Sequence, residues 1–275
     1  MKKTLRCLIG TLTLLQLIAC STEKQTMNTL EPIPAFKIYA AGSLREAMTQ
    51  VAADYQVRTG QAVELSFGAS GLLRERIEKG EAAQVFASAD TDHPKRLAQG
   101  GAWQEPRVFV RNSLCALTGA NVNATPDNLL QTLLQPAVRV GTSTPVSDPS
   151  GDYAWALFRK ADAQQPGAYA TLDKKALKLT GAADSPKPPA GRSFYAWAMD
   201  EGQADVFLTY CTNAVAAQKE VPRLKVVSVP PALQVGAPYG MTVATGAPPQ
   251  AQAFAQALLQ APAQQVFKQF GFEGP

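Results

Sequence analysis

The segment FKIYAAGSLREAMTQVAADYQVRTG, residues 36–60, decides the fold class of this chain of 275 residues. Its first six residues are mostly apolar and predict a β-strand over 36–41. Apolar residues then recur at helical spacing from Leu44 to Arg58, which predicts a helix that Gly60 is placed to end. A strand that runs directly into a helix is the repeating unit of α/β folds.

The same alternation continues along the chain and is typical of an α/β sheet with mostly parallel strands. We predict further strands over 63–67, 85–89, 108–117, 138–141, 206–210, 224–229 and 240–245, and further helices over 72–78, 94–99, 153–163, 193–201, 249–260 and 262–270. A mature chain of about 250 residues lies near the size at which a single core divides. We therefore expect one lobe from 36–115 plus 239–275 and a second lobe from 116–238.

Composition excludes several classes of protein. Hydrophobic residues make up 46% and charged residues 17%, which is typical of a folded globular chain. The formal net charge of +4 falls to +1 without Lys2, Lys3 and Arg6, which lie in a leader described below. A near-neutral chain lacks the basic surplus of a general nucleic-acid binder. The single histidine, His93, excludes metal sites that need two or three imidazoles.

The first twenty residues have the layout of an export signal. A basic start is followed by an apolar run from Leu8 to Ile18, which is too short for a comfortable membrane span. The run ends in LIAC, residues 17–20, which resembles the bacterial lipobox and implies lipidation of Cys20. An ordinary cleaved signal peptide with a chance cysteine is the alternative, and both place the protein outside the cytoplasm. Residues 21–35 are polar with two prolines and predict a flexible tether.

Two cysteines and one histidine need a separate interpretation. Cys115 and Cys211 could pair in an oxidising compartment, but both lie in strongly apolar stretches, so we expect two separate buried thiols. We expect His93 at the surface, at the start of a helix. An exported hydrolase that uses a serine near His93 remains an alternative, although the chain contains no G-x-S-x-G motif.

Serine or glycine precedes several predicted helices. Ser43, Ser70, Ser150 and Ser193 each lie where a predicted helix begins, and Glu46 is spaced to complete a capping box with Ser43. The N-terminus of a helix offers free N–H groups and a partial positive charge, so each of these positions suits an anion. Serine is also a common N-cap at any helix, and the sequence does not show whether the four positions converge.

Seven segments, in this order and spacing, resemble the periplasmic molybdate-binding proteins, which are solute receptors of ABC importers. The segments are IYAAGSL (38–44), SFGASGL (66–72), VFASAD (85–90), RNSL (111–114), PSGDYA (149–154) with TY (209–210), and FKQFGF (267–272). The resemblance covers 37–272 and implies an α/β fold of the type II-like periplasmic-binding kind, with two lobes that close about a hinge. It also implies a monomeric receptor without cofactor or enzymatic activity that delivers its ligand to a membrane permease.

The resemblance assigns roles to five residues. Ser43 and Ser70 would bind an oxyanion through hydroxyl and backbone N–H groups. Ser150 lies where the family commonly uses a backbone N–H, and Tyr210 matches a tyrosine whose hydroxyl donates to the ligand. Arg192 departs from the pattern, because molybdate receptors usually have a small or apolar residue there. An arginine at this position is similar to the arginine that related tungstate receptors use.

The chemistry of the ligand fits such a site. Molybdate and tungstate are tetrahedral dianions that accept hydrogen bonds and donate none, so a site made of donors suits them and disfavours a protonated phosphate. We predict an exported oxyanion receptor, for molybdate or tungstate. A receptor of the same fold for another anion, such as a carboxylate that Arg192 would bind, is the alternative.

Overall fold

The computed structural model describes residues 34–275. The predicted signal peptide, the lipidation of Cys20 and nearly all of the predicted tether therefore lie outside the described residues. The strands are β1 (Phe36–Ala41), β2 (Val63–Gly68), β3 (Val85–Ala87), β4 (Arg107–Thr118), β5 (Val140–Ser143), β6 (Leu177–Thr180), β7 (Val206–Tyr210), β8 (Lys225–Ser228) and β9 (Gly236–Val243). The helices are α1 (Arg45–Thr59), α2 (Ser70–Glu78), α3 (Asp92–Gln99), α4 (Leu129–Leu134), α5 (Pro149–Gln164), α6 (Ala168–Lys175), α7 (Phe194–Asp200), α8 (Cys211–Glu220), α9 (Pro249–Ala257) and α10 (Ala261–Gln269).

The predicted strand–helix alternation is confirmed, but the sheet is mixed rather than mostly parallel. Eight strands follow the order β2-β1-β3-β9-β4-β7-β5-β6, and β8 pairs with β4. β1 pairs in parallel with β2 and β3, and β5 pairs in parallel with β6 and β7. β4 and β9 pair antiparallel with each other, β4 also with β7 and β8, and β9 also with β3. The prediction was wrong because these two long strands cross between the parallel groups.

The two parallel groups divide the molecule into two halves. We call β1–β3 with α1–α3 the first half, and β5–β7 with α5, α7 and α8 the second half. The chain leaves the first half through β4 and returns to it through β9, so the predicted two-lobed α/β architecture is confirmed. The exact lobe limits at 115/116 and 238/239 stay a prediction.

The segment that predicted the fold forms the packed start of the first half. Ile38 and Ala40 on β1 and Met48 on α1 are fully buried. Gly60 ends α1 in the left-handed conformation at φ 74°, which glycine adopts without a steric penalty. Within residues 34–275, none of the helices is both long and apolar enough to span a membrane.

Cys115 and Cys211 form a disulfide, so the expectation of two separate thiols was wrong. The antiparallel register of β4 and β7 places Cys115 opposite Thr209, and the chain reaches Cys211 two residues later. Their Cα atoms are 4.8 Å apart, within the range that a disulfide spans. Apolar surroundings gave no information on this pairing, because strand register decides it.

Candidate functional site

A cavity of about 980 Å³ lies between the two halves, at the carboxyl ends of β1, β2 and β7. Of the five predicted binding residues, the structure brings four to its wall: Ser43 and Ser70 from the first half, and Arg192 and Tyr210 from the second. Ser150 does not line the cavity and is fully buried. The strand ends therefore converge, as expected for ligand sites of α/β sheets.

Ser43 does not cap α1. It lies in a 3-10 turn, Gly42–Leu44, where no side chain caps the helix, so the predicted capping box with Glu46 was wrong. The Ser43 hydroxyl instead lies 2.8 Å from the hydroxyl oxygen of Tyr239, a fully buried residue of β9. Ser43 thus contacts a residue 196 positions away in the sequence instead of capping the helix that follows it.

Asn112 donates to the same Tyr239 hydroxyl. Its Oδ1 accepts a hydrogen bond from the backbone N–H of Ser113, which fixes the amide, and its Nδ2 donates to the Tyr239 hydroxyl oxygen at 3.2 Å. Since Tyr239 already accepts, a continuous chain forms when it donates its own hydrogen to Ser43. That arrangement leaves the Ser43 hydrogen free for an acceptor in the cavity. Burial raises the pKa of Tyr239 well above its usual value, so the phenol stays a donor.

Ser70 and Tyr210 meet at one backbone residue. Ser70 is the first residue of α2 and only 1% exposed, and its Oγ accepts the N–H of Ala89 at 3.1 Å. The Ser70 hydrogen is therefore free to donate. The hydroxyl of Tyr210 donates to the Ala89 carbonyl at 3.3 Å, and burial raises its pKa well above the usual value. Both hydroxyls lie at the cavity wall, where the Ser70 hydrogen is free and the Tyr210 hydrogen is held by the Ala89 carbonyl.

The two halves touch beside this site. The backbone N–H of Gly71 donates to the carbonyl of Ser147 at 2.9 Å. A Cβ on Gly71 would lie 2.5 Å from the carbonyl oxygen of Val146, closer than packed atoms tolerate. Only glycine therefore permits this approach of α2 to the loop before α5.

Asp148 takes the place predicted for Ser150. It is the N-cap of α5, and its Oδ1 accepts the N–H of Ser150 at 3.1 Å, so that N–H is already used. The Ser150 hydroxyl has no hydrogen-bond partner among residues 34–275. Asp148 itself is half-buried and lines the cavity. Burial, the largest cause, raises the pKa of Asp148 to about 6.

Arg192 lines the cavity, but its charge is compensated. Its Nε donates to Glu220 at 2.7 Å and a terminal nitrogen donates to Asp200 at 3.1 Å. Glu220 also accepts the N–H of Ser193, the N-cap of α7. The hydrogen bond to Glu220 is the main cause that raises the pKa of Arg192. Arg192 is thus a paired cation, not a free one.

His93 lies in the first turn of α3 as expected but is buried, so the surface placement was wrong. Its Nε2 is 3.8 Å from an oxygen of Asp90, and burial lowers its pKa. Neither ring nitrogen has a hydrogen-bond partner in the described chain, so no serine there is hydrogen-bonded to it. Over the same residues, no group of three His, Cys, Asp or Glu could hold a metal ion.

The chain matches the family model of the bacterial extracellular solute-binding proteins over residues 36–273. It belongs to this family. One relative, an uncharacterised protein of Pasteurella multocida, is 35% identical over 214 residues, which is 76% of this chain and 87% of the relative. The molybdate-binding protein ModA of Mycobacterium bovis is 26% identical over 98% of this chain and 97% of its own. The predicted resemblance to molybdate-binding proteins is confirmed.

Solved structures of this solute-binding kind have the same fold. The periplasmic molybdate-binding protein of Azotobacter vinelandii matches with a TM-score of 0.66 and 21% identity, over 87% of this chain and 99% of its own. PEB3 with bound L-phospholactate matches with a TM-score of 0.67 and 16% identity, over 87% and 100%. At these identities the structures establish the fold, and the homologues are solute-binding proteins rather than enzymes.

Sequence reasoning missed Asn112, Tyr239 and the position of Asp148 in the cavity. Asn112 lies in the RNSL segment that carried the resemblance, but nothing in the segment pointed to a role. Tyr239 ends the proline- and glycine-rich stretch 230–239. That composition is typical of a connection, although the structure places Tyr239 inside β9. Asp148 caps α5, and only the tertiary structure places this residue on the cavity wall.

Proposed function

We propose that this protein is the solute receptor of an ABC importer and that it captures a tetrahedral oxyanion in the cavity between its halves. The convergence of the Ser43, Ser70 and Tyr210 hydroxyls on one cavity carries the proposal. They come from both halves and are neutral; the Ser70 hydrogen is free, and the Ser43 hydrogen is free when Tyr239 donates to Ser43. Hydrogen bonds from neutral donors to an anion belong to the strong, charge-assisted class.

Molybdate and tungstate are the first anions to consider. The chain is related along its whole described length to a molybdate-binding protein, and bare tetrahedral dianions need only donors. In this proposal Ser43, Ser70 and Tyr210 bind the oxyanion. Ser150 acts through Asp148, whose carboxylate it holds in place. Arg192 lies at the wall as a compensated cation and contributes little charge to the ligand.

A larger organic anion is the second candidate, and the size of the cavity favours it. About 980 Å³ is at the upper end of the range for sites that hold drug-sized ligands, far more than one inorganic anion fills. Lys187 and Lys219 line the same cavity and add positive charge beyond the hydroxyls. A fold neighbour, PEB3, was solved with L-phospholactate, which has a tetrahedral group on an organic acid. The carboxylate that the sequence predicts as the alternative ligand is an example of this second class of ligand.

The rest of the functional assignment follows the receptor role. We place the protein in the cell envelope, exported and anchored through a lipid on Cys20, as a monomer that docks on a membrane permease. It needs no cofactor, performs no catalysis and binds no nucleic acid in this proposal.

Calorimetry of the purified protein tests the proposal. Molybdate, tungstate and sulfate form one panel, and a phosphate monoester and a carboxylate form a second. Binding from either panel that Ser43→Ala or Ser70→Ala weakens supports capture at this cavity. Binding confined to carboxylates overturns the tetrahedral oxyanion, and no binding of any member overturns the receptor proposal. Hydrolysis of an activated ester that His93→Ala abolishes would point instead to the hydrolase alternative.

A further inference from the structure

A carboxylate that no cation neutralises faces the cavity. Among the described residues, Glu46, Asp148 and Glu220 are the carboxylates on its wall. Glu220 is paired with Arg192, and Glu46 lies on the exposed side of α1. Asp148 takes part in no ion pair within residues 34–275 and accepts one backbone N–H, through Oδ1. No donor of the described residues makes a hydrogen bond of regular geometry to its second oxygen, Oδ2, and the Ser143 hydroxyl, which faces the carboxyl, acts to lower its pKa.

The position of Asp148 is fixed on several sides. Gly181, after β6, is at φ 89°, and a Cβ there would lie 2.7 Å from the Asp148 Cβ and 3.1 Å from Oδ2. The backbone of Asp148 is tied to Thr144 and Gly151, whose hydrogen bonds with it measure 3.0 and 2.8 Å. A rotation of the carboxylate would break its hydrogen bond to the N–H of Ser150 at the start of α5.

The groups that surround this carboxyl are hydroxyls and other acids. Ser143 faces it from β5, and Asp148 in turn acts on Tyr195 of α7 and Tyr210 of β7. The charges that act on it most are two further carboxylates, Asp152 on α5 and Asp90 before α3. With a pKa of about 6, Asp148 is mainly ionised at neutral pH and is then an acceptor only.

An ionised acceptor in an anion site discriminates between ligands of equal charge. A bare dianion repels it and leaves Oδ2 without a donor, whereas an anion that carries a hydrogen gives it one. We propose that Asp148 is a specificity-determining acceptor that makes this cavity prefer an oxyanion with its own hydrogen-bond donor over a bare dianion. The chemical class is hydrogen phosphate or a hydroxyl-bearing phosphate monoester, and the volume of the cavity leaves room for the organic part of an ester.

This inference rests on the proposed capture of oxyanions and favours the second candidate ligand class over molybdate. Sulfate and hydrogen phosphate form the matched probe, because at about pH 8 both are mainly dianions of similar size and only phosphate carries a hydrogen. Calorimetry compares the two anions on the wild type, on Asp148→Asn and on Asp152→Asn. Asp152 accepts the N–H of Val146 and does not line the cavity, so its variant is the control.

We expect the wild type and Asp152→Asn to bind phosphate at least about tenfold more tightly than sulfate. In Asp148→Asn the preference should fall to about onefold or reverse, because a neutral amide no longer repels sulfate and can donate to it. Sulfate binding to the wild type should also strengthen as the pH falls through about 6, and stay level in Asp148→Asn.

Two results would overturn the inference: a wild type that prefers sulfate or molybdate to phosphate, or an equal preference in the wild type and Asp148→Asn. Absence of binding by every anion to all three proteins is a different result, because it refutes the oxyanion receptor itself. Asparagine is a good N-cap, so the variant should keep α5, and a thermal melt verifies this. Asp148→Ser, which also caps but carries no charge, repeats the comparison if the amide disturbs the fold.

Discussion

The two halves use the same sequence signal for opposite purposes. In the first half, Ser43 and Ser70 stand where helices begin, and both line the cavity without an acidic side chain bound at their helix start. In the second half, the corresponding helix starts already hold an anion of the protein itself: Asp148 accepts the N–H of Ser150, and Glu220 accepts the N–H of Ser193. A serine before a helix thus indicates an anion site only where the chain does not supply the anion.

This difference divides the work within the cavity. The first half presents donors, while the second half fixes the charge and shape of the opposite wall through Asp148 and the pair of Arg192 with Glu220. A receptor built this way binds the common part of an oxyanion on one side and distinguishes ligands on the other.

The largest expected effect concerns the disulfide, which ties the second half to β4. The disulfide joins β4 to the start of α8 and closes a loop with a sequence separation of 96 residues. On the chain-entropy model its loss costs about 4–5 kcal/mol of stability. A double variant, Cys115→Ser with Cys211→Ser, should melt well below the wild type in differential scanning calorimetry. A reductant should lower the melting temperature of the wild type and leave the double variant unchanged.

The next effect tests the difference between the serines directly. Ser43→Ala and Ser70→Ala each remove a donor to an anion, which costs about 1.5–3 kcal/mol, or roughly 10- to 100-fold in affinity. Ser150→Ala should change the affinity less than about twofold, because its hydroxyl is buried away from the cavity. Calorimetry with the anion that binds the wild type most tightly measures all three. Equal losses in the three variants would contradict the division between the halves.

Asp148 should make the free energy of unfolding depend on pH. Its folded-state pKa of about 6 lies above the ordinary aspartate value of 3.8, so the folded protein binds this proton more tightly than the unfolded chain. Ionisation therefore destabilises the fold above about pH 6, by about 3 kcal/mol at most, and this cost disappears as the pH falls toward 4. Asp148→Asn should be the more stable protein at about pH 8 and lose that advantage near pH 4. Denaturant titration of the wild type and Asp148→Asn at both pH values checks the sign; an equal difference in stability at the two pH values would contradict it.

Arg192 should have the smallest effect on binding. Because Glu220 and Asp200 already neutralise its guanidinium, Arg192→Ala should change the affinity for an inorganic oxyanion less than about threefold. A loss of more than about 100-fold, measured in the same calorimeter, would show that the guanidinium leaves its partners for the ligand. That result would restore the arginine-based site predicted from the sequence.

Local patterns were sufficient to predict much of the fold. Strand β1 was placed at its observed limits, and the α1 helix and its end at Gly60 follow from apolar spacing and glycine geometry. Four elements were missed: α4, β6, α6 and α8. α8 starts directly after β7 without a turn residue, so the sequence has no boundary there.

The site was less predictable, for a different reason. The family resemblance pointed to Ser43, Ser70 and Tyr210, and the structure brings their side chains to one cavity. Asn112 and Tyr239 act across 127 residues of sequence, and the Arg192–Glu220 pair across 28, so no local pattern contains them. The disulfide was missed on the same ground, since strand register and not hydrophobicity sets the distance between two cysteines.

The hydrogen bond from the Gly71 N–H to the Ser147 carbonyl gives a way to measure how often the two halves separate. Any separation of the halves at the cavity breaks this hydrogen bond and exposes one amide hydrogen to water. Exchange of that hydrogen for deuterium therefore reports how often the unloaded protein opens. A bound anion that keeps the halves together would slow the exchange, and the exchange rate of the unloaded protein, divided by the rate of an unprotected amide, would give the fraction of time that the receptor offers its binding site to the surrounding solution.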